Sequence, residues 1–279
     1  MMPAPATSFE RFRGMHAAER PLVLPTAWDA ASARIMQEAG ARAIGTAGSA
    51  IAHLLGRPDG DDRLPLDALL RMTETVVGAT SIPVNADIGG GYGDPAEAVA
   101  RAIEAGVVGV NLGDRSGRDE AVRPVDASAA RVAAAREAAT AAGVDLVINA
   151  RTDALDCGAA PDDAVERGNA YLAAGADCVL VAGAGSPAVV EQLVRRIAGP
   201  LNVAVRPGFA SIAQLEEVGV RRISVTFAGA MWADLAGMAR RLIDGRDASE
   251  MDARAPFPPL DGWFAENLSR GSNRLTEGG

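Results

Sequence analysis

Four times in this chain a helix-forming stretch ends in a glycine that leads straight into an apolar run. QEAG-ARAIG turns at Gly40, IEAG-VVGV at Gly106, LAAG-ADCVL at Gly175 and EEVG-VRRIS at Gly219. Glycine just past a helix accepts the left-handed cap conformation, so each junction reads as helix, cap, strand. The apolar runs themselves recur along the chain at Leu22–Leu24, Ala43–Ala47, Ile82–Ala86, Val107–Leu112, Val144–Ala150, Cys178–Ala182, Leu201–Val205 and Ile223–Thr226. Between them lie amphipathic segments such as 96–105, where Val99, Ala102 and Ile103 share a face away from Glu97, Arg101 and Glu104. Helix starts are marked as well, by Asp94-Pro95-Ala96-Glu97, by Ser186-Pro187 and by Ser211 with Gln214.

Strands that alternate with helices pair in parallel, and near-continuous apolar strands are buried on both faces. Eight such units in 279 residues predict a (β/α)8 TIM barrel; an open doubly wound sheet is the alternative. The barrel is expected over residues 1–245. Beyond Gly245 the composition turns polar and proline-rich, with a helix-like piece at Trp263–Leu268. Residues 246–279 are therefore expected to form a C-terminal helical arm, free or docked on a second subunit, with a disordered end.

Composition excludes several chemistries. All 27 basic residues are arginine, so no lysine is present to form a Schiff base or to serve a phosphate-binding P-loop. The net charge of −9 argues against nucleic acid or an anionic membrane as partner. Cys157 and Cys178 match neither a disulfide framework nor a zinc pattern, and Cys157 has no basic neighbour in sequence. The N-terminus lacks a signal pattern and no apolar run is long enough to span a membrane, so the protein is expected in the cytoplasm. His16 reads as a surface residue and His53 as a structural one.

In a barrel, chemistry sits at the C-terminal ends of the strands. The third strand delivers Asn85 and Asp87, followed by a glycine run and Tyr92. Asp59 lies downstream of the second strand, in RPDG, and Asp114 follows the fourth. Three carboxylates on neighbouring tips suit a hard cation such as magnesium, which takes oxygen ligands and retains water. Alternatively each acid caps a helix or pairs with an arginine. Arg151 ends an apolar strand, where a guanidinium needs a partner. That partner is a substrate carboxylate or an acid such as Asp153. Tyr92 closes over the site, donates a proton or packs.

Taken together, PTAWDAASARIMQEAG, GTAGSAIAHLLGRPDG, IPVNADIGGGYGD, GVVGVNLGDRSG, VINARTDAL and YLAAGADCVLVAG resemble the isocitrate lyase/phosphoenolpyruvate mutase superfamily from about Pro21 to Gly245. The resemblance implies a (β/α)8 barrel that assembles as a homodimer or homotetramer. It implies a lyase that uses Mg2+, or Mn2+ in its place, on a small 2-oxo or 2-hydroxy carboxylate through an enolate-like pyruvate fragment. It places Ala47, Gly48 and Ser49 on the substrate carboxylate and Asp59 and Asp87 in the metal shell, with Asn85 and Asp114 as further ligands. Arg151 grips the substrate, and Asp59 and Tyr92 complete the catalytic set.

The departures are specific. Asn85 stands where the lyases and mutases carry a second carboxylate. Gly113 replaces a glutamate, and Ala182 matches the mutase histidine. The lysine-, cysteine- and histidine-bearing gating loop is replaced by Arg115-Ser116-Gly117-Arg118-Asp119. Without those acids, decarboxylation or another simple lyase step is expected, because water can then supply the proton. A C–P hydrolase, a condensing enzyme and a non-catalytic carboxylate-binding barrel are the alternatives.

Overall fold

The computed structural model describes residues 7–60, 63–115, 121–205, 208–244 and 258–265. Eight parallel strands close into a barrel in chain order. They are β1 (Leu22–Ala27), β2 (Ile44–Thr46), β3 (Val84–Asp87), β4 (Gly109–Gly113), β5 (Val147–Thr152), β6 (Cys178–Val181), β7 (Leu201–Val205) and β8 (Arg222–Thr226). The expected (β/α)8 architecture is therefore the observed one. Closure between the last and first strands rests on Leu22 N donating to Arg221 O at 2.9 Å. In β3, β4 and β5 the strands start two or three residues later than the apolar runs and end one or two later, which brings Asp87, Gly113 and Arg151 inside the sheet.

Ten helices are among the described elements. The first is α1 (Ser8–Ala17); it is followed by α2 (Ala30–Glu38), α3 (Gly48–Leu54), α4 (Leu66–Ala79), α5 (Pro95–Glu104), α6 (Val125–Ala141) and α7 (Pro161–Ala173). The expected helix at 96–105 is α5, whose N-cap Asp94 accepts from Ala96 N and Glu97 N through Oδ1. Between the strands and the outer helices α7, α8 (Pro187–Arg196) and α9 (Ile212–Glu217), a cluster around Val179, Val190, Leu193 and Ile223 forms the core of one side. No helix among the described residues is long and apolar enough to cross a membrane.

Contacts divide the chain into two compact units, Met1–Val225 and Thr226–Gly279, twenty residues before the boundary expected from composition. The second unit contains α10 (Ala228–Ile243) and a helical turn at 260–265. Most of the expected C-terminal arm, 246–257 and 266–279, lies outside the described residues, as does the loop segment 116–120.

Helix α1 closes the N-terminal end of the barrel. Its capping box pairs Thr7 N with Glu10 Oε2 (2.7 Å) and Glu10 N with Thr7 Oγ1 (3.2 Å). Phe12 is fully buried among Leu22, Leu24, Val108 and Val147, residues at or near the strand starts. A Cβ added at Gly109 would lie 2.7 Å from the Phe12 ring, so the strand needs glycine there. The plug also buries His16, which is 4% exposed, and so overturns its reading as a surface residue.

Above the plug the barrel interior is polar. Branched apolar side chains are usual there, but Asn85, Asn111 and Asn149 occupy three successive strands. Asn111 Oδ1 accepts from Asn85 Nδ2 (3.0 Å), Asn149 Nδ2 (2.8 Å) and Arg222 Nη2 (3.0 Å). Arg222 is fully buried, and its Nη1 also donates to Asn85 Oδ1 and points at His16 Nε2, each at 3.4 Å. Burial pulls the guanidinium down to about 10, with Cys178 and Asp87 opposing that fall, so it remains charged at neutral pH.

Candidate active site

The opposite mouth of the barrel collects the charged strand ends. Asp87 is the last residue of β3 and partly accessible. Its backbone N donates to Thr46 Oγ1 (2.9 Å), and its Oδ1 accepts from Gly89 N (3.1 Å). Burial raises the carboxyl pKa; the Arg151 guanidinium and the Gly89 N–H work against this, while the charges of Asp59 and Asp153 add to it. Asp59, Asp87, Arg151 and Asp153 therefore share one electrostatic neighbourhood.

Arg151 sits one residue before the end of β5 and faces Asp153. Its Nε (3.0 Å) and Nη2 (2.5 Å) both donate to Asp153 Oδ1. Burial opposes the charge of Arg151, but Asp153, Asp87 and Asp156 outweigh it and raise the guanidinium pKa. Arg115 Nε approaches Asp153 Oδ2 at 3.4 Å, so two guanidinium groups flank one carboxylate. Arg115 Nη1 also donates toward Cys157 Sγ at 3.4 Å, which gives the exposed thiol the basic neighbour that sequence proximity did not show.

Asp114 takes the arginine-pairing alternative. Its Oδ1 accepts from Asp153 N (3.0 Å), and its Oδ2 accepts from Tyr171 OH (3.0 Å) and from Arg167 Nη1 (3.4 Å). Burial and the Asp114 charge raise the Tyr171 phenol, which keeps its proton and donates it. At 2% exposure, Asp114 braces β4 and β5 against α7 and presents no oxygen to the mouth. Asn85, fully buried in the asparagine layer, likewise spends its amide on Asn111 and Arg222 and not on a tip ligand.

Ala47 is the N-cap of α3, and its N–H donates to Ala27 O at 2.8 Å. Of the expected backbone carboxylate site, Gly48 and Ser49 remain at the start of the helix, where N–H groups lack intrahelical acceptors. Gly48 lies against the carboxylate on β3: a Cβ there would stand 3.9 Å from Asp87 Oδ2. Tyr92 is half-buried in the β3–α5 loop with a left-handed backbone, φ 49°. His53 is exposed near the C-terminal end of α3.

Residues 12–243 match the family model for phosphoenolpyruvate phosphomutase. The chain belongs to the phosphoenolpyruvate phosphomutase family. Within its wider isocitrate lyase/phosphoenolpyruvate mutase superfamily, an uncharacterised protein of Mycobacterium tuberculosis strain H37Rv is 30% identical over 94% of this chain and 98% of its own length. A probable 2-methylisocitrate lyase of Corynebacterium glutamicum is 31% identical over 71% of this chain and 66% of its own length. Among solved structures, a putative lyase/mutase from Burkholderia cenocepacia superposes with a TM-score of 0.86 at 32% identity, covering 92% of this chain and 95% of that one. Relatives of this phosphomutase-family chain are thus named for more than one reaction, and a phosphonopyruvate hydrolase of Variovorax is among them at 29% identity.

A divalent metal is a family expectation that the donor set must support. Among the described residues no three His, Cys, Asp or Glu side chains lie close enough to hold an ion. What remains is Asp87 with the charge of Asp59 beside it, next to the open Gly48 backbone. Such a set fits magnesium, which keeps several waters and needs only one or two carboxylates. It does not fit a transition metal that requires a nitrogen or sulfur cluster.

Several residues of the site were not singled out from sequence. Arg167 and Tyr171 lie at an i, i+4 spacing on α7, and that pairing was a readable signal. Arg115 was visible only as part of the replaced loop, because its partners Asp153 and Cys157 lie just past β5, 38 and 42 positions on.

Proposed function

We propose that this barrel is a magnesium-assisted lyase acting on a small 2-oxo or 2-hydroxy carboxylate, by decarboxylation or by cleavage of a C–C bond. The observation that carries the reading is the opposition of Asp87 and Arg151 at two strand tips, with Asp59 adding its charge. Arg151 grips a substrate carboxylate or oxo oxygen; its fork suits a planar carboxylate and is already oriented by Asp153. Gly48 and Ser49 offer amide hydrogens to the other end of the same small acid. Asp87 and Asp59 would hold magnesium, which when bound supplies a Lewis acid for the 2-oxo group. For a 2-oxo diacid, the C–C bond to the far carboxylate breaks, CO2 departs, the bonding electron pair passes into the 2-oxo group, and the resulting enolate takes its proton from water to give the free oxo acid.

The test is pyruvate release from oxaloacetate, 2-alkylmalates and phosphonopyruvate, each with and without Mg2+. Magnesium-dependent turnover of one of them is expected; no turnover of any, under either condition, contradicts the reading. Hydrolysis of phosphonopyruvate alone would instead select the C–P hydrolase alternative. The binding partner is a small-molecule carboxylate, and the assembly is a homodimer or homotetramer.

A second reading has its own observation. Asn85 and Asp114 are both consumed by internal hydrogen bonds, which leaves fewer acids at the mouth than the family pattern implies. On that basis the barrel binds a carboxylate without transforming it. Calorimetry separates the two, since this reading needs binding that is independent of Mg2+ and unchanged in Asp87→Ala.

A further inference from the structure

The segment Ile88–Gly93 follows β3 toward α5, and within it Gly89 N donates to Asp87 Oδ1. Ile88 N ties its start to Asn111 O (3.1 Å). Gly91 N donates to Ile88 O (2.9 Å), and Gly113 N donates to Gly89 O (2.7 Å) across to β4. Three consecutive glycines have wide conformational freedom, and Tyr92 is held in a region that non-glycine residues seldom occupy. A loop of this composition keeps one shape only if something outside it selects that shape.

Arg131, in the second turn of α6, meets that need. Its Nη1 donates to Gly93 O at 2.9 Å and its Nη2 donates to Gly90 O. The two carbonyls bracket Gly91 and Tyr92, so one planar guanidinium spans the strained part of the loop. A lysine ammonium, a point charge on a flexible stem, does not reproduce that geometry. Gly91 is packed accordingly: a Cβ there would come within 3.0 Å of Arg131 Nη2 and of the Leu112 side chain. The arginine is half-buried, and α6 packs along α5, so the clamp is anchored on the same helix pair that receives the loop.

We infer that Arg131 is a positioning residue of the site: it fixes the glycine loop so that Gly89 N–H holds Asp87 Oδ1 and leaves Oδ2 directed at the Gly48 side of the mouth. The inference rests on the reading of Asp87 as the ligand-facing carboxylate. Arg131 acts through the Gly90 and Gly93 carbonyls.

Amide exchange followed residue by residue by NMR on the ligand-free protein tests the clamp without any substrate. In Arg131→Met, exchange at Gly89, Gly91 and Gly113 should quicken by about tenfold or more while amides elsewhere in α6 and the barrel keep their rates. Arg131→Lys should fall between the two. Unchanged exchange at those glycines overturns the inference, and so does a rise spread evenly over the barrel, which would mark a general loss of stability. The functional readout is affinity for oxalate with Mg2+, expected to drop roughly tenfold in Arg131→Met, or about 1.4 kcal/mol, and to recover in part in Arg131→Lys. Loosened glycines with unaltered oxalate affinity would also overturn the positioning role. If the wild-type protein does not bind oxalate at all, the proposed function fails on its own, and the exchange rates still decide whether Arg131 holds the loop.

Discussion

On the proposed function, recognition of the substrate carboxylate turns on Arg151. It is charged, a third of its side chain is exposed, and one edge of its fork is already committed to Asp153. Substitution Arg151→Met should weaken oxalate binding by on the order of a hundredfold, because an Arg–carboxylate pair cannot be replaced by a thioether. Arg151→Lys should recover only part of this; calorimetry that finds Met and wild type alike would contradict the assignment. Sequence made Arg151 conspicuous because a guanidinium at the end of an apolar strand demands a partner. It could not say which partner, and the structure shows Asp153 on one edge of the fork with the charge of Asp87 nearby. Asn85, Asn111 and Asn149 were equally visible as amides inside apolar strands. Their convergence on one another depends on strand register, Asp87 against Asn111 and Asn111 against Asn149, which a single sequence does not display.

Elements are tied together by two buried polar systems, and each carries a stability prediction. Asp114 joins β4, β5 and α7 through Asp153 N, Arg167 and Tyr171. Asp114→Ala takes the acceptor from a buried phenol and from Asp153 N, and one of two carboxylate partners from Arg167, and should cost about 2–3 kcal/mol in denaturant unfolding; a loss below about 1 kcal/mol would show the network to be incidental. At the other end, α1 buries His16 against Arg222. The imidazole Nδ1 lies 2.9 Å from Phe12 O and donates to it, which leaves Nε2 to face the guanidinium. Burial, together with the charges of Arg222 and Arg13, lowers the His16 pKa to about 4. The folded state therefore disfavours the proton that the unfolded chain takes up near pH 6.5. The stabilising contribution is complete above that pH and disappears as pH falls through about 4. Between those limits wild type should lose on the order of 2–3 kcal/mol more than His16→Asn. A stability difference between the two proteins that stays constant across the window would contradict this account of the plug.

At the scale of the whole molecule, a plugged barrel with a polar interior carries its charged residues to the far mouth. The parallel eightfold architecture was legible because each strand and each helix stop left a local mark in sequence, and Gly40, Gly106, Gly175 and Gly219 all adopt positive φ. Composition changes at Gly245, whereas contacts change at Thr226, two residues before α10 begins. The site was legible in part. Sequence marked Asp59, Asp87 and Arg151, and the charges of Asp59 and Arg151 both act on the Asp87 carboxyl, while Asp114 and Asn85 turn inward to partners that lie far away in sequence. On the proposed function, Asp87, with the charge of Asp59 added, is the centre of the metal-assisted chemistry. The decisive measurement is calorimetric titration of oxalate into wild type and Asp87→Ala, with and without Mg2+. The account predicts binding to wild type that requires the metal and is lost in Asp87→Ala; oxalate binding that ignores both the metal and the substitution would contradict it.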